Sequence, residues 1–194
     1  MGQYYMAVLK NNKGEIKAYY DYGLKLMEHS WFFNSYTNTI TKKLLNKPHN
    51  IAWIGDYASS DERWQGELVK YRDKNQGHHQ TKHTNENFMQ CLLINHTKKQ
   101  VLDLTDYYNE NIKNYIKNGR DKSWIIHPLP LLTAMGNGLG GGDYRGINQE
   151  NVGIWAGDLI EVKRYDDDYK YDFMSKSYVF IDYESVMFIF DRGY

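Results

Sequence analysis

The segment GNGLGGGDYRG, residues 136–146, places six glycines in eleven positions. Glycine loses more backbone freedom on folding than any other residue, so a folded chain that keeps six together gains something from them. Bare peptide N–H groups can converge on an anion such as phosphate or carboxylate when the backbone forms a nest. A tightly turned connection is the alternative, and the sequence leaves both open.

The other side chains of this segment favour a ligand-binding role. Asp143 and Tyr144 stand where a flexible linker would carry Ser or further Gly, and Arg145 can make a bidentate contact with an oxyanion. Asp is also a common turn residue that bonds its own backbone, so Asp143 by itself does not decide the question. The predicted ligand-binding residues are Gly136, Asn137, Gly138, Gly140, Gly141, Gly142, Tyr144, Arg145 and Trp155.

The segment does not match either of the common phosphate-binding motifs. It leads into polar INQEN and then a strand-like run, whereas a dinucleotide-binding fingerprint opens a helix. A Walker loop would need Gly-Lys followed by Ser or Thr, which the segment does not contain. The cofactor is therefore unknown.

Two histidines and two aspartates are the candidate catalytic residues. His29 in KLMEHSW and His127 before Pro128 each read either as a buried, hydrogen-bonded core histidine or as a functional one. If they met Asp56 and Asp143 in one cleft, the four would supply a general acid/base pair or ligands for a divalent metal. The sequence shows no metal-binding motif, and no metal ligand is assigned.

Composition limits the class of protein. The 194 residues carry 24 basic and 24 acidic side chains, so no global field draws the chain toward nucleic acid or anionic lipid. Cys91 is the single cysteine, which excludes an internal disulfide and a thiolate zinc cluster, and its place in MQCLLIN predicts a strand residue in the core. No run approaches the roughly 20 apolar residues of a membrane helix. We expect a protein of the bacterial cytoplasm.

The first half of the chain alternates strand and helix signals. YYMAVLK and EIKAYYDY predict a hairpin, and Tyr36, Ile40 and Leu44 predict a helix that stops at residues 46–48. HNIAWIGDYA reads as a buried strand that ends at Gly55. Ser59 and Glu62 form a capping-box pattern for a second helix. Residues 73–87 have almost no apolar content and predict a mobile, solvated loop.

The second half is predicted to be richer in strands. FMQCLLIN and KQVLDL indicate a hairpin, and a helix capped by Thr105 follows it and stops at Asn118-Gly119. WIIHPLPLL, with Pro128 and Pro130, predicts an edge or irregular strand, because proline cannot donate to a ladder. VGIWAGDLIEV predicts another strand, and SYVFIDY with VMFIF predicts a final pair. Trp-x-Gly-Asp occurs at residues 53–56 and 155–158, which suggests two similar strand-to-loop exits.

These elements predict one α+β domain over residues 1–194, with a mainly antiparallel sheet and about three helices packed on one face.

The chain resembles a family of small uncharacterised bacterial and phage proteins that begin with MGQYY. The resemblance also rests on LKLMEHSW, IAWIGDYA, LLINHTKK, IHPLPLLTA with the glycine-rich segment, and VGIWAGD. Members of that family often carry Arg where this chain has Leu139. The resemblance implies a bacterial or phage accessory protein and lends no catalytic residue.

Three functions fit these observations. The first is binding of a phosphate-containing small molecule, a nucleotide or a nucleotide-derived signal, in a role directed at host defence. The second is a metal-dependent hydrolase or phosphodiesterase that uses the two histidines and two aspartates. The third is a protein-binding inhibitor with an aromatic docking surface. The expected partner is thus a small-molecule nucleotide or a host protein, not extended nucleic acid or a membrane; the oligomeric state is open.

Overall fold

The computed structural model of the protein describes residues 3–20, 24–58, 78–80, 84, 86–136, 144–164 and 169–189. Within these ranges nine strands form one sheet: β1 (Tyr5–Lys10), β2 (Ile16–Tyr20), β3 (His49–Gly55), β4 (His78–Gln80), β5 (Cys91–Asn95), β6 (Gln100–Asp103), β7 (Ala134–Met135), β8 (Leu159–Arg164) and β9 (Val179–Phe180). The α-helices of the same ranges are α1 (Leu26–His29), α2 (Ser35–Leu44), α3 (Leu104–Lys117), α4 (Pro128–Leu132), α5 (Tyr169–Ser175) and α6 (Tyr183–Val186).

The sheet confirms the predicted α+β class. Its strand order is β4-β2-β1-β3-β8-β5-β6-β9, and β7 pairs separately with β3. Five strand pairs are antiparallel (β1 with β2 and with β3, β3 with β8, β5 with β6 and with β8), and three are parallel (β2 with β4, β3 with β7, β6 with β9). The sheet is therefore mainly antiparallel, as the sequence predicts.

Strand β8 lies between β3 and β5, which both come from earlier segments of the chain. Its Ile160 lies opposite His49 of β3 on one side and opposite Asn95 of β5 on the other. β7 pairs with the second half of β3, beyond the point where β8 leaves it. The edge of β3 that does not face β1 is thus shared by β8 and β7.

Alternation along the strands gives the sheet two buried faces. Ala7 and Leu9 of β1 belong to the large core, whereas Met6 and Val8 point to a smaller cluster on the other face. Side chains of α2, α3 and α4 fill the large core. Phe173 of α5 packs instead with residues of β5 and β6 on the opposite face, so the expectation that all helices share one face is wrong.

Helix α2 forms where the sequence predicts it. The Asn34 side chain accepts hydrogen bonds from the backbone N–H groups of Tyr36 and Thr37, at 2.9 and 3.1 Å, which satisfies two donors that have no partner inside the helix. Tyr36, Ile40 and Leu44 are fully buried, as their spacing predicts.

The N-cap of helix α3 is Asp103, two residues before the predicted cap Thr105. The Asp103 carboxylate accepts from the N–H groups of Thr105 and Asp106, at 2.9 and 3.2 Å. Thr105, the predicted cap, instead donates its hydroxyl to the carbonyl of Met89 at 3.1 Å. The predicted end at Asn118-Gly119 is confirmed, with Gly119 at φ +64°.

The predicted strand at WIIHPLPLL is wrong, because Pro128–Leu132 form helix α4. Proline is tolerated in the first turn of a helix, where its missing N–H has no intrahelical acceptor. His127 precedes this turn and its side chain caps the N–H of Leu129. The prolines thus start a helix instead of marking a strand edge.

Two further predictions of strands need correction. Residues 152–157 form turns, and β8 begins only at Leu159, so the second Trp-x-Gly-Asp precedes a strand instead of following one. In the C-terminal part, β9 pairs in parallel with β6, and α6 occupies Tyr183–Val186, so no final hairpin forms among the described residues.

The remaining predictions concern the segment between β3 and β5. Residues 78–80, inside the predicted loop 73–87, form β4 beside β2. The predicted helix that starts at Ser59 lies outside the described residues. Among the described helices, none has both the length and the apolar content that a bilayer-spanning helix needs.

Candidate functional site

The glycine-rich segment starts where two parallel strands end together. Trp53 pairs with Ala134 and Ile54 with Met135. The parallel strands β3 and β7 therefore end side by side, at Gly55 and just before Gly136. Ligands in α/β proteins commonly bind beyond the carboxyl ends of parallel strands. The structure thus places the first predicted ligand-binding residue, Gly136, at such an end. Asn137, Gly138, Gly140, Gly141, Gly142 and Asp143 lie outside the described residues.

A buried carboxamide lies between these two glycines. Gln3 is fully buried, and a β-carbon on Gly136 would come within 2.6 Å of its Oε1 and 2.5 Å of the Tyr5 hydroxyl oxygen. A β-carbon on Gly55 would overlap the same Gln3 oxygen. A side chain at either strand end would therefore require the Gln3 carboxamide or the Tyr5 ring to shift. We call Gln3, Tyr5, Gly55 and Gly136 the strand-end notch.

Asp56 holds the chain that leaves β3 against the start of β1. Its Oδ1 accepts a hydrogen bond from the Tyr4 N–H at 3.0 Å, and its own N–H donates to the Tyr4 carbonyl at 3.0 Å. This reciprocal pair joins the backbone of Tyr4 to Asp56, and Tyr4 and the next residue of the chain after Asp56, Tyr57, are 50% and 45% exposed. Two aromatic rings are thereby presented to solvent at the end of the sheet.

The far arm of the glycine-rich segment is anchored in the core. Tyr144 is fully buried, its hydroxyl donates to the carbonyl of Ile147, and it accepts from the N–H of Ile189 at 3.1 Å. Gly146 packs so closely on the Ile189 carbonyl that a β-carbon would overlap it. Arg145, between them, is exposed. Arg145 and Tyr144 are the two predicted ligand-binding residues of this arm. Arg145 faces solvent, whereas Tyr144 anchors the segment to Ile189.

Trp155 lies in the core instead of at a surface. It is fully buried, and its Nε1 donates to Gln100 Oε1 at 2.9 Å. In this structure its ring has no face free for a ligand. The exposed tyrosines at this end of the sheet are Tyr4 and Tyr57, which the sequence does not single out.

The two candidate catalytic histidines are fully buried. His29 Nε2 accepts from the Trp53 indole N–H at 2.5 Å, and His127 Nδ1 accepts from the Leu129 N–H at 3.2 Å. Burial lowers the pKa of each imidazole to about 3, because the charged form would lose its hydration. Both are neutral near pH 7. Of the two readings that the sequence leaves open, the core histidine matches these positions.

The structure does not gather the three described candidate catalytic residues, His29, Asp56 and His127, on one surface. His29 lies against Trp53 in the middle of β3, and Asp56 follows the end of that strand. His127 begins α4 in the core, and Asp143 is outside the described residues. Within the described part of the chain, no group of three or more His, Cys, Asp or Glu side chains is arranged to hold a metal ion.

Cys91 occupies the position that the sequence predicts. It is the first residue of β5, it is fully buried, and burial raises the pKa of its thiol to about 11. The thiol is therefore protonated near pH 7, and it packs as a small apolar side chain.

A second polar cluster joins three segments that are distant in sequence. His96, in the turn after β5, lies 2.7 Å through Nδ1 from the Tyr178 hydroxyl and 2.8 Å through Nε2 from Glu161 Oε2. Lys163 Nζ is 3.9 Å from the other oxygen of Glu161. Spacings of 82 and 65 residues leave no local pattern, so sequence reasoning had no signal for this cluster.

No family model matches the chain, and comparisons with curated proteins and with solved structures also find no match.

Proposed function

We propose that this protein binds a phosphate-containing small molecule, a nucleotide or a nucleotide-derived signal, beyond the ends of β3 and β7. The observation that carries the proposal is the strand-end notch. There the buried Gln3 carboxamide lies against Gly55 and Gly136, and a β-carbon on either glycine would overlap it. Gly136 also starts the segment that is rich in glycine.

The chemistry around the notch suits an anionic ligand with a planar ring. Successive backbone N–H groups without side chains can surround phosphate oxygens. Arg145 is exposed at the other end of the glycine-rich segment and carries five donors that suit a phosphate group. Tyr4 and Tyr57 offer exposed ring faces for a nucleobase, and such stacking contributes about 1–3 kcal/mol for each base.

The biological role extends this proposal one step further. We further propose that the chain, which resembles bacterial and phage accessory proteins, acts by holding a nucleotide-derived signal of host defence. A protein that only sequesters a signal does not change the bound molecule chemically. Recovery of intact ligand after denaturation therefore separates this role from the hydrolase alternative, in which the recovered ligand would be cleaved.

The proposed function is tested by binding measurements on the full chain. ATP, ADP-ribose and cyclic di-GMP are titrated by calorimetry, with and without Mg²⁺, and the bound fraction is released and identified by mass spectrometry. At least one of these probes should bind, and Arg145→Ala should weaken it about 10-fold or more, since a hydrogen bond to a charged group contributes roughly 1.5–3 kcal/mol. Arg120→Ala, at an arginine over the Tyr115 ring, is the matched control.

The aromatic faces provide a second arm of this test. Tyr57→Ala should weaken binding of a base-containing probe but not of inorganic tripolyphosphate. Phe33→Ala removes a ring of similar exposure, 51% against 45%, from a different surface and should leave both affinities unchanged. Equal effects of the two alanine variants, or no binding of any probe at millimolar concentration, would contradict the proposed site.

A further inference from the structure

Tyr178, His96 and Glu161 form a series of hydrogen bonds on one face of the sheet. The Tyr178 hydroxyl lies 2.7 Å from His96 Nδ1, and His96 Nε2 lies 2.8 Å from Glu161 Oε2. Glu161 is directly opposite Ile94 in the ladder of β8 and β5, and Ile94 packs with Phe173 of α5. The series therefore lies on the face where α5 packs. We call these three residues the Tyr-His-Glu triad.

The direction of each hydrogen bond follows from the chemistry of the groups. A carboxylate only accepts, so Nε2 of His96 donates its proton to Glu161. In a neutral imidazole the other ring nitrogen is then an acceptor, and the Tyr178 O–H donates to it. A phenol thus faces a basic nitrogen that a carboxylate holds in one orientation. A nucleophile, a base within hydrogen-bond reach and a third group that orients the base are the signature of an activated nucleophile.

Contacts around the triad fix the positions of its side chains. The Tyr178 ring meets the Phe173 ring edge to face with centroids 5.2 Å apart, and the Tyr178 N–H donates to the Phe173 carbonyl at 3.0 Å. Oε1 of Glu161, the oxygen that does not contact His96, lies 3.9 Å from Lys163 Nζ. Because nucleophile and base are already in place, little orientational freedom is lost when the proton is transferred.

Partial exposure distinguishes His96 from the two histidines of the core. Its side chain is 24% exposed, whereas His29 and His127 are fully buried. Tyr178 is also partly exposed, and the Glu161 side chain is only 10% exposed. The phenol and the imidazole are therefore in contact with solvent, while the carboxylate that orients the imidazole is nearly enclosed.

The charges beside the triad favour an uncharged substrate. Glu161 and Lys163 have opposite signs and lie 3.9 Å apart, so the pair gives no net field that would attract a multiply charged phosphoryl donor. A carboxylic ester has no charge and needs no such attraction. Its carbonyl carbon is the kind of electrophile that an activated hydroxyl attacks in acyl transfer.

We propose that Tyr178 is acylated by an uncharged carboxylic ester, with His96 as the base and Glu161 as the positioning residue. The Tyr178 oxygen forms a bond to the ester carbonyl carbon, and its proton passes to His96 Nδ1. The bond from that carbon to the leaving oxygen then breaks, and the leaving oxygen takes the bonding electrons and the proton from Nδ1. The products are an acyl ester of Tyr178 and a free alcohol, and His96 is neutral again. This site is separate from the strand-end notch and does not depend on nucleotide binding.

The test compares tyrosines within one protein. The full-length chain is mixed with p-nitrophenyl acetate, the reaction is stopped with acid after a series of short times, and acetylated peptides are identified by mass spectrometry. Tyr178 should react about 10-fold or more faster than Tyr4 and Tyr57, because a positioned general base contributes a factor of roughly 10²–10⁴. Tyr4 and Tyr57 are the more exposed phenols, at 50% and 45%. If they react as fast as Tyr178, or if Tyr178 is not acetylated, the proposal is overturned.

A histidine variant tests the assignment of the base. His96→Gln keeps a polar side chain but removes the basic nitrogen, so it should slow acetylation of Tyr178 about 10-fold or more. His49→Gln is the matched control, since His49 Nδ1 lies 2.8 Å from the Lys47 carbonyl, outside the triad, and it should leave the Tyr178 rate unchanged. Equal Tyr178 rates in His96→Gln and in the unmodified protein would overturn the proposal.

Glu161→Gln tests the positioning role. An amide can donate as well as accept, so it no longer fixes the proton on Nε2, and acetylation of Tyr178 should slow about 10-fold or more. The rate at Tyr57 in the same sample should not change, whereas a purely structural role of Glu161 would leave the ratio of the two rates as it is in the unmodified protein. An unchanged ratio in Glu161→Gln contradicts the proposal. Circular dichroism shows whether each variant is folded, and for a variant that is not, the comparison of tyrosines within the unmodified protein decides.

Discussion

Gln3 explains two glycines whose backbone conformation is ordinary. Neither Gly55 nor Gly136 has a positive φ, so neither is required by the left-handed region of the backbone. Both are required by space, because the Gln3 carboxamide and the Tyr5 ring occupy the positions that a β-carbon would take. The sequence shows a glycine in each place. Only the tertiary structure shows that the Gln3 carboxamide lies where a β-carbon on either residue would be.

The steric cause predicts that Gln3 and Gly55 are energetically coupled. Gly55→Ala should lower the free energy of unfolding by about 1–3 kcal/mol, the usual range for overpacking a buried position. Gln3→Ala removes the atom that the new methyl group would meet, so the double variant should lose less than the sum of the two single losses. Urea denaturation of the four proteins gives the coupling.

The control for this cycle pairs Gly55→Ala with Val179→Ala. Val179 is exposed in β9, four strands away from β3 in the order of the sheet, and the two losses should add within about 0.5 kcal/mol. Strict additivity of Gln3→Ala and Gly55→Ala would mean that the Gln3 side chain moves aside without cost.

Individual site residues were predictable to different extents. The glycine-rich pattern draws attention to Gly136, which the structure places at the end of two parallel strands. Tyr144 and Trp155 have the composition of ligand-stacking residues, but tertiary contacts with Ile189 and Gln100 bury them. Tyr4 and Tyr57 reach the same end of the sheet through the pairing of β1 with β3, which no local pattern encodes.

At the scale of the element, helices α3 and α5 end in the same way with different residues. Arg120 N–H donates to the Tyr115 carbonyl at 2.8 Å, and Tyr178 N–H donates to the Phe173 carbonyl at 3.0 Å. The residue before each donor has φ +64°, and it is Gly119 in one case and Ser177 in the other. This is the Schellman termination, for which glycine is the favoured residue.

The difference predicts opposite effects of reciprocal substitutions. Ser177→Gly should raise the free energy of unfolding by about 1 kcal/mol, because glycine adopts the left-handed conformation without the β-carbon clash. Gly119→Ser should lower it by a similar amount, since a β-carbon there has open space and only the backbone is strained. Thermal denaturation of both variants measures the pair, and a change of the same sign in both would contradict the explanation.

Periodicity predicted most elements where packing and propensity agree. The hairpin of β1 and β2 and the buried face of α2 follow directly from alternation and from spacing of four. The prediction is wrong at α4. Proline is disfavoured inside a strand, which predicts a strand edge, but it is also favoured in the first turn of a helix, where Pro128 and Pro130 lie. The prediction is also wrong at β9, whose parallel partner β6 lies almost 80 residues earlier.

For the whole molecule, the two buried histidines predict a dependence of stability on pH. Each has a pKa of about 3 in the folded state, against 6.5 when exposed. Below pH 6.5 the unfolded chain binds protons at these two positions while the folded chain does not, so stability falls as pH decreases from 6.5 toward 3. Above pH 6.5 both states are neutral there, and these groups contribute no slope.

The expected slope is about 1.4 kcal/mol per pH unit for each histidine between pH 6 and pH 4. His127→Asn should remove about half of the slope that the two histidines contribute, because Asn can still accept the Leu129 N–H at the start of α4 while it does not titrate. Urea denaturation across this range measures the slope, and His49→Asn, outside the core at the start of β3, is the control. An unchanged slope in His127→Asn would show that this imidazole is not neutral and buried.

The position of β8 has a consequence for how the protein is made. The chain leaves the ribosome N-terminus first, and residues 159–164 emerge after both of the strands that they connect, β3 and β5. Until then β3 and β5 each present an edge without its final neighbour, and such edges pair readily with other nascent chains. Slow translation just before Leu159 should therefore favour aggregation in the cell, and a chaperone that shields extended segments should act on this protein during that interval.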